Sequence, residues 1–92
     1  LALCRDLGVG AVRWGLPWYR VEPRPGQFDW GWADQVLPYL VEELGVAPIL
    51  DLMHYGTPGW LARSFADPAY PEAVARYAGA VAARYRGLVR SY

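Results

Sequence analysis

Two polar residues stand at the ends of short apolar runs, Arg13 after Gly10-Ala11-Val12 and His54 after Pro48-Ile49-Leu50-Asp51-Leu52-Met53. The Arg13 guanidinium is a rigid fork that can orient a carboxylate and keep it ionised, as a nucleophilic carboxylate requires. Its spacing fits equally well a structural ion pair with an acid on a neighbouring strand. His54 can exchange a hydrogen bond with a hydroxyl, and Tyr55 beside it offers a flat face and a phenol. Aromatic faces pack on the C–H face of a sugar ring while polar side chains select its hydroxyls. A lone histidine is also commonly a hydrogen-bonded core residue. Of the five tryptophans, Trp18 is expected to stack on a ligand, while Trp14, Trp30, Trp32 and Trp60 are expected to pack under loops. Asp51, counted by alternation from His54, is expected to face away from the site, pairing with an arginine or capping backbone. Glu22, in Arg20-Val21-Glu22-Pro23, is expected to brace a loop.

Those residues need elements to hold them. Residues 1–7 read as the end of a helix closed by Gly8. Residues 10–14 and 46–53 read as buried strands, with Pro48 tolerable only near the start of the second. Between them, residues 15–27 are rich in Pro and Gly and read as a loop over the strand end. Asp29 can then cap a helix over 30–44, in which Trp32, Val36, Leu37, Leu40, Val41 and Leu44 recur at helical spacing. Pro38 lies inside that pattern and should bend it or remove a backbone bond. Pro71 suits the first position of a third helix to about Tyr85, and residues 88–92 read as a third strand beginning. Buried strands alternating with helices imply parallel pairing and an α/β class. Long segments after the strands and short turns before them fit a barrel whose site lies at the strand C-terminal ends.

Composition narrows the function classes. At 92 residues the chain is one unit, residues 1–92, where a complete (β/α)₈ barrel takes about 250. Abrupt entry at Leu1-Ala2-Leu3 and a 54% hydrophobic content predict a piece of a larger domain, with the remainder of the barrel as its partner. Nine basic residues balance nine acidic ones, which gives no basic field for nucleic acid and no polybasic membrane patch. One histidine and one cysteine leave no metal-ligand cluster, no internal disulfide and no expected cofactor, and Cys4 reads as a small apolar residue. No strand is followed by a glycine-rich nucleotide motif, and no apolar run reaches the about 18 residues of a membrane span. A cytoplasmic location is the corresponding expectation.

Val12-Arg13-Trp14-Gly15-Leu16-Pro17-Trp18-Tyr19-Arg20-Val21-Glu22-Pro23 resembles the second-strand motif of the family 1 glycoside hydrolases, an Arg followed by Trp, Arg, an aliphatic residue and Pro. The segment from Pro48 through His54-Tyr55-Gly56-Thr57-Pro58-Gly59-Trp60-Leu61 is similar to the third-strand motif of that family. Tyr77-Ala78 and Val89-Arg90-Ser91-Tyr92 extend the resemblance over nearly the whole chain. Tyr55 stands where the family usually carries Trp, and Gly15-Leu16-Pro17 replaces a more polar stretch. The resemblance implies a partial (β/α)₈ barrel covering about strands 2 to 4 of a retaining β-glycosidase (β-glucosidase-like) acting on a carbohydrate. In such an enzyme one Glu is acid/base and a second is nucleophile. The resemblance places both beyond this chain, which alone would be inactive, with Arg13 beside the nucleophile and His54, Tyr55 and Trp18 contacting sugar. A non-catalytic sugar-binding or interaction barrel is the alternative, and an open-sheet α/β domain a third possibility.

Overall fold

The computed structural model describes every residue except Tyr55. Its elements run α1 (Ala2–Asp6), β1 (Ala11–Gly15), α2 (Trp18–Val21), α3 (Gly31–Pro38), β2 (Ala47–Asp51) and α4 (Tyr70–Arg84). A π-helical turn, Tyr39–Glu43, prolongs α3, and a 3₁₀ turn, Ser64–Ala66, precedes α4.

Strands β1 and β2 are parallel neighbours, with Arg13 opposite Ile49 and Gly15 opposite Asp51. The start of a third strand joins on the other side of β2, where Ile49 bridges Ser91 in parallel and the Leu50 N–H donates to the Ser91 carbonyl at 3.0 Å. Strand side chains alternate between two faces. Trp14 and Leu50 face the helices and join a core with Ala33 and Leu37 of α3 and Ala73, Tyr77 and Val81 of α4. Arg13, Ile49 and Asp51 lie on the opposite, open face, where Ile49 is 42% exposed. One covered face and one open face make a slab, and the Cα radius of gyration of 14.0 Å exceeds the about 12 Å of a compact domain this long.

The helices follow their sequence signals with two adjustments. Asp29 accepts the Gly31 N–H at 3.0 Å in a turn just ahead of α3, whose N-cap position is Trp30 and carries no side-chain cap, so the expected Asp29 cap becomes a lead-in turn. Pro38 has no N–H to give, so the Asp34 carbonyl loses its α-helical partner, and beyond Pro38 the helix widens into a π turn in which the Leu44 N–H reaches back to the Tyr39 carbonyl. That turn directs Leu40 and Leu44 into a second, smaller cluster with Val46, packed by Val12 and Cys4. Gly45, at φ +66°, then turns the chain into β2 in the left-handed region that costs glycine least. The loop expected over 15–27 contains one helical turn, α2, because Leu16, Trp18 and Val21 have a core to enter. In α4, Pro71 occupies the first turn as its missing N–H allows.

Candidate functional site

The side chains able to do chemistry converge at the C-terminal ends of β1 and β2. Asp51 closes β2 one pleat beyond Ile49, the partner of Arg13, so it shares the open face with Arg13. The long Arg13 side chain spans that step, and its Nε and Nη2 donate to Asp51 Oδ2 at 3.1 and 2.6 Å. The chain bends beyond β2 and returns His54 to the same oxygen, with Nδ1 2.8 Å from Asp51 Oδ2 and 3.2 Å from Arg13 Nη2. The Arg13 hydrogen bond, with help from His54, holds the Asp51 carboxyl below the usual carboxylate range. Asp51 is the least exposed of the three, its side chain 15% accessible against 65% for Arg13.

Alternation from His54 had placed Asp51 on the helix side, and the structure corrects this. Residues 52–54 have left the strand, so counting back through them carries the wrong parity. Counted from Ile49 within β2, the same residue falls on the open face. Its expected pairing with an arginine is observed, and the arginine is Arg13 itself.

A cleft of about 270 Å³ adjoins the triad, lined by Leu16, Pro17, Tyr19, Trp32, Leu52 and Met53 with Asp51 and His54 at its polar end. Trp18 borders this cleft but is only 2% exposed. Its ring stacks on Tyr77 at 5.1 Å with 9° between planes, and it meets Trp60 edge-on at 6.0 Å. The expected sugar-stacking role of Trp18 is therefore corrected: both the face and the edge of its ring are engaged in the core. Tyr55, the other expected aromatic contact, lies outside the described residues. Trp14 packs on Trp32 at 5.1 Å, and Trp30 on Phe28 and Tyr85, so these tryptophans are packing groups as expected.

Glu22 braces the loops from within the core. It is fully buried, and its carboxylate accepts from Trp18 Nε1 at 2.9 Å, the Gly26 N–H at 2.7 Å and the Arg76 fork at 2.7 and 3.1 Å. Its backbone carbonyl accepts from Trp60 Nε1 at 2.9 Å. One residue thus ties the segments after β1 and after β2 to α4, which fixes the walls of the cleft. Among the described residues, no group of three or more His, Cys, Asp or Glu is placed to hold a metal ion.

The profile of glycoside hydrolase family 42, the beta-galactosidases, matches residues 1–84. The chain belongs to this family. This corrects the family 1 resemblance at the level of the family and keeps its broader content, a glycoside hydrolase. A beta-galactosidase of Thermus sp. is 38% identical over 58 residues, 62% of this chain and 9% of that protein. A bifunctional beta-D-glucosidase/beta-D-fucosidase of Bifidobacterium breve is 35% identical over 107 residues, taking in 100% of this chain and 22% of the relative. The crystal structure of the beta-glycosidase BGL167 superposes with a TM-score of 0.82 at 34% identity, covering 96% of this chain and 22% of that one. The family 42 chain therefore has the α/β architecture of part of a glycosidase (β/α)₈ barrel, and it spans about a tenth to a fifth of its relatives' length.

Proposed function

We propose that this segment serves a retaining β-glycosidase whose substrate is a β-galactoside or a related β-glycoside, with Arg13, Asp51 and His54 lining the innermost sugar position. The convergence of the three polar side chains at the C-terminal ends of adjacent parallel strands carries this reading. Barrel enzymes build their sites at that end. The names of the relatives supply the substrate class.

The four glutamates of the chain are Glu22, Glu42, Glu43 and Glu72. Glu22 is sealed in the core and the other three are exposed on helical segments, away from the open strand face. The acid/base and nucleophilic carboxylates, about 5–5.5 Å apart in a retaining enzyme, are accordingly assigned to other strands of the whole barrel. Arg13 would support the charge of the nucleophile through the fork that now holds Asp51.

The test is Arg13→Met in the full-length enzyme. A group that stabilises charge in the transition state lowers kcat more than it raises KM when removed, here by about a hundredfold in kcat. Unchanged kcat would remove Arg13 from the site, and release of the inverted anomer would refute the retaining course.

A further inference from the structure

We infer that Asp51 is a positioning residue for Arg13: its carboxylate takes the Nε–Nη2 edge of the guanidinium and so presents Nη1, at the end of the fork, to a second carboxylate brought by another strand of the whole barrel. The inference deepens the proposed function and rests on it for the identity of that second carboxylate, the nucleophile.

A guanidinium carries five N–H groups in one plane, one on Nε and two on each Nη nitrogen. They form two edges that can grip an anion, a side edge of Nε with Nη2 and an end edge that includes Nη1. In this chain the side edge is closed, because Nε and Nη2 both donate to Asp51 Oδ2, at 3.1 and 2.6 Å. Nη2 also lies 3.2 Å from His54 Nδ1. Among the described residues no acceptor is bonded to Nη1. The Arg13 side chain stays 65% accessible with its side edge closed, so the pairing does not seal it from a further ligand.

Asp51 is the fixed member of the pair. It ends β2, its side chain is 15% accessible, and its Oδ2 also lies 2.8 Å from His54 Nδ1. Arg13 reaches it on a long stem with much rotamer freedom, and that freedom is lost most cheaply when a carboxylate holds the fork before substrate arrives. An arginine without Asp51 could turn its side edge onto the nucleophile and point the fork elsewhere. With Asp51 in place that edge is taken, and the nucleophile meets the end of the fork. This accounts for an acid on the open face at the end of β2, where an apolar residue would leave the fork undirected.

The test uses the full-length enzyme. Asp51→Ala should lower kcat about tenfold with KM nearly unchanged, the size of one misplaced hydrogen bond to a developing charge. Asp51→Asn, whose amide oxygen can still accept from Nε and Nη2, should recover most of that loss. In the Arg13→Met background, removing Asp51 should cost nothing further: the double variant falls about a hundredfold, as Arg13→Met does alone, and not about a thousandfold. An undiminished tenfold loss in that background overturns the inference, because Asp51 then acts on the site without Arg13. A crystal structure of the unmodified full-length enzyme decides the point even if a variant folds poorly. Nη1 within about 3.2 Å of a carboxylate from another strand, with Asp51 still on the side edge, is the expected arrangement. A second carboxylate on the side edge, or none within reach of Nη1, overturns it. Should Arg13→Met leave kcat intact while both carboxylates stand as expected, the nucleophile reading falls and the edge assignment stands.

Discussion

Replacing Glu22 by glutamine changes one atom type and little volume, yet it should be among the most damaging substitutions in the chain. Every group that faces this carboxylate is a donor: the Trp18 indole N–H on one oxygen, the Gly26 N–H and the Arg76 fork on the other. An amide must turn its own NH₂ toward one of those sides, setting donor against donor in a place with no accessible surface. A buried donor left without an acceptor costs about 1–3 kcal/mol. Breaking a fully buried ion pair costs about 3–5 kcal/mol, but Arg76 is 42% exposed and can rehydrate, so only a fraction of that applies. The two together give about 2–3 kcal/mol for Glu22→Gln, and about 1 kcal/mol more for Glu22→Ala, which also leaves a cavity. Urea unfolding followed by tryptophan fluorescence measures this directly, because Trp18 and Trp60 both bond to this residue. With a slope near 1 kcal/mol per molar for a chain of this size, the midpoint should fall by about 2 M. Glu72→Gln, on the exposed start of α4, is the control and should stay within about 0.5 kcal/mol. A Glu22→Gln midpoint indistinguishable from that control would refute the claim that the carboxylate's charge organises the loops.

Removing the Tyr77 hydroxyl as Tyr77→Phe leaves the Leu16 carbonyl without its buried partner at 3.2 Å while preserving the stack on Trp18. The melting temperature should drop by about 4–8 °C, the equivalent of about 1 kcal/mol, and no drop would count against that bond. Asp34, clamped by the Arg84 fork and the Tyr85 hydroxyl, and Asp51, clamped by Arg13, both have carboxyls depressed in the folded state. Their stabilisation is complete above the unfolded carboxyl range near about pH 4 and is lost as pH falls through the lower folded values. Urea midpoints should accordingly decline on acidification below that point, and Asp34→Asn should flatten the decline. Ile49, exposed on the open strand face, should drive concentration-dependent association of the isolated chain, and Ile49→Lys should reduce it in light scattering.

Both strands, the beginning of α3 shortly after Asp29 and the beginning of α4 beside Pro71 were legible from the sequence because each is set by residues close along the chain. The π turn was not, since the bond Pro38 cannot make lies upstream, at the Asp34 carbonyl, and nothing in the residue pattern from Tyr39 to Leu44 marks the wider closure. Asp51 was misplaced because strand parity holds only inside a strand, and the bend at residues 53–54 leaves no periodic trace. The burial of Trp18 depends on Tyr77, and the satisfaction of Glu22 on Arg76, partners on a helix far along the chain. The motifs around Arg13 and His54 gave the glycoside hydrolase class, yet they pointed to family 1 where the chain matches family 42. Motifs at strand ends preserve what a barrel mouth requires of any such enzyme, and that common requirement is the reason they separate families poorly.

The small cluster of Leu40, Leu44 and Val46 has a kinetic consequence. Helix α1 buries none of its own residues and contributes to that cluster through Cys4, near the N-terminal ends of the strands, whereas the Glu22 hub lies beyond their C-terminal ends. Its attachment therefore draws on little of the energy that holds the main core, and it can detach while β1, β2 and α4 remain in place. The one thiol of this chain sits at that attachment. Because Cys4 is partly buried against that cluster, its labelling by a thiol reagent should respond to substitutions at Leu40 or Leu44 more than to a substitution in the Glu22 hub.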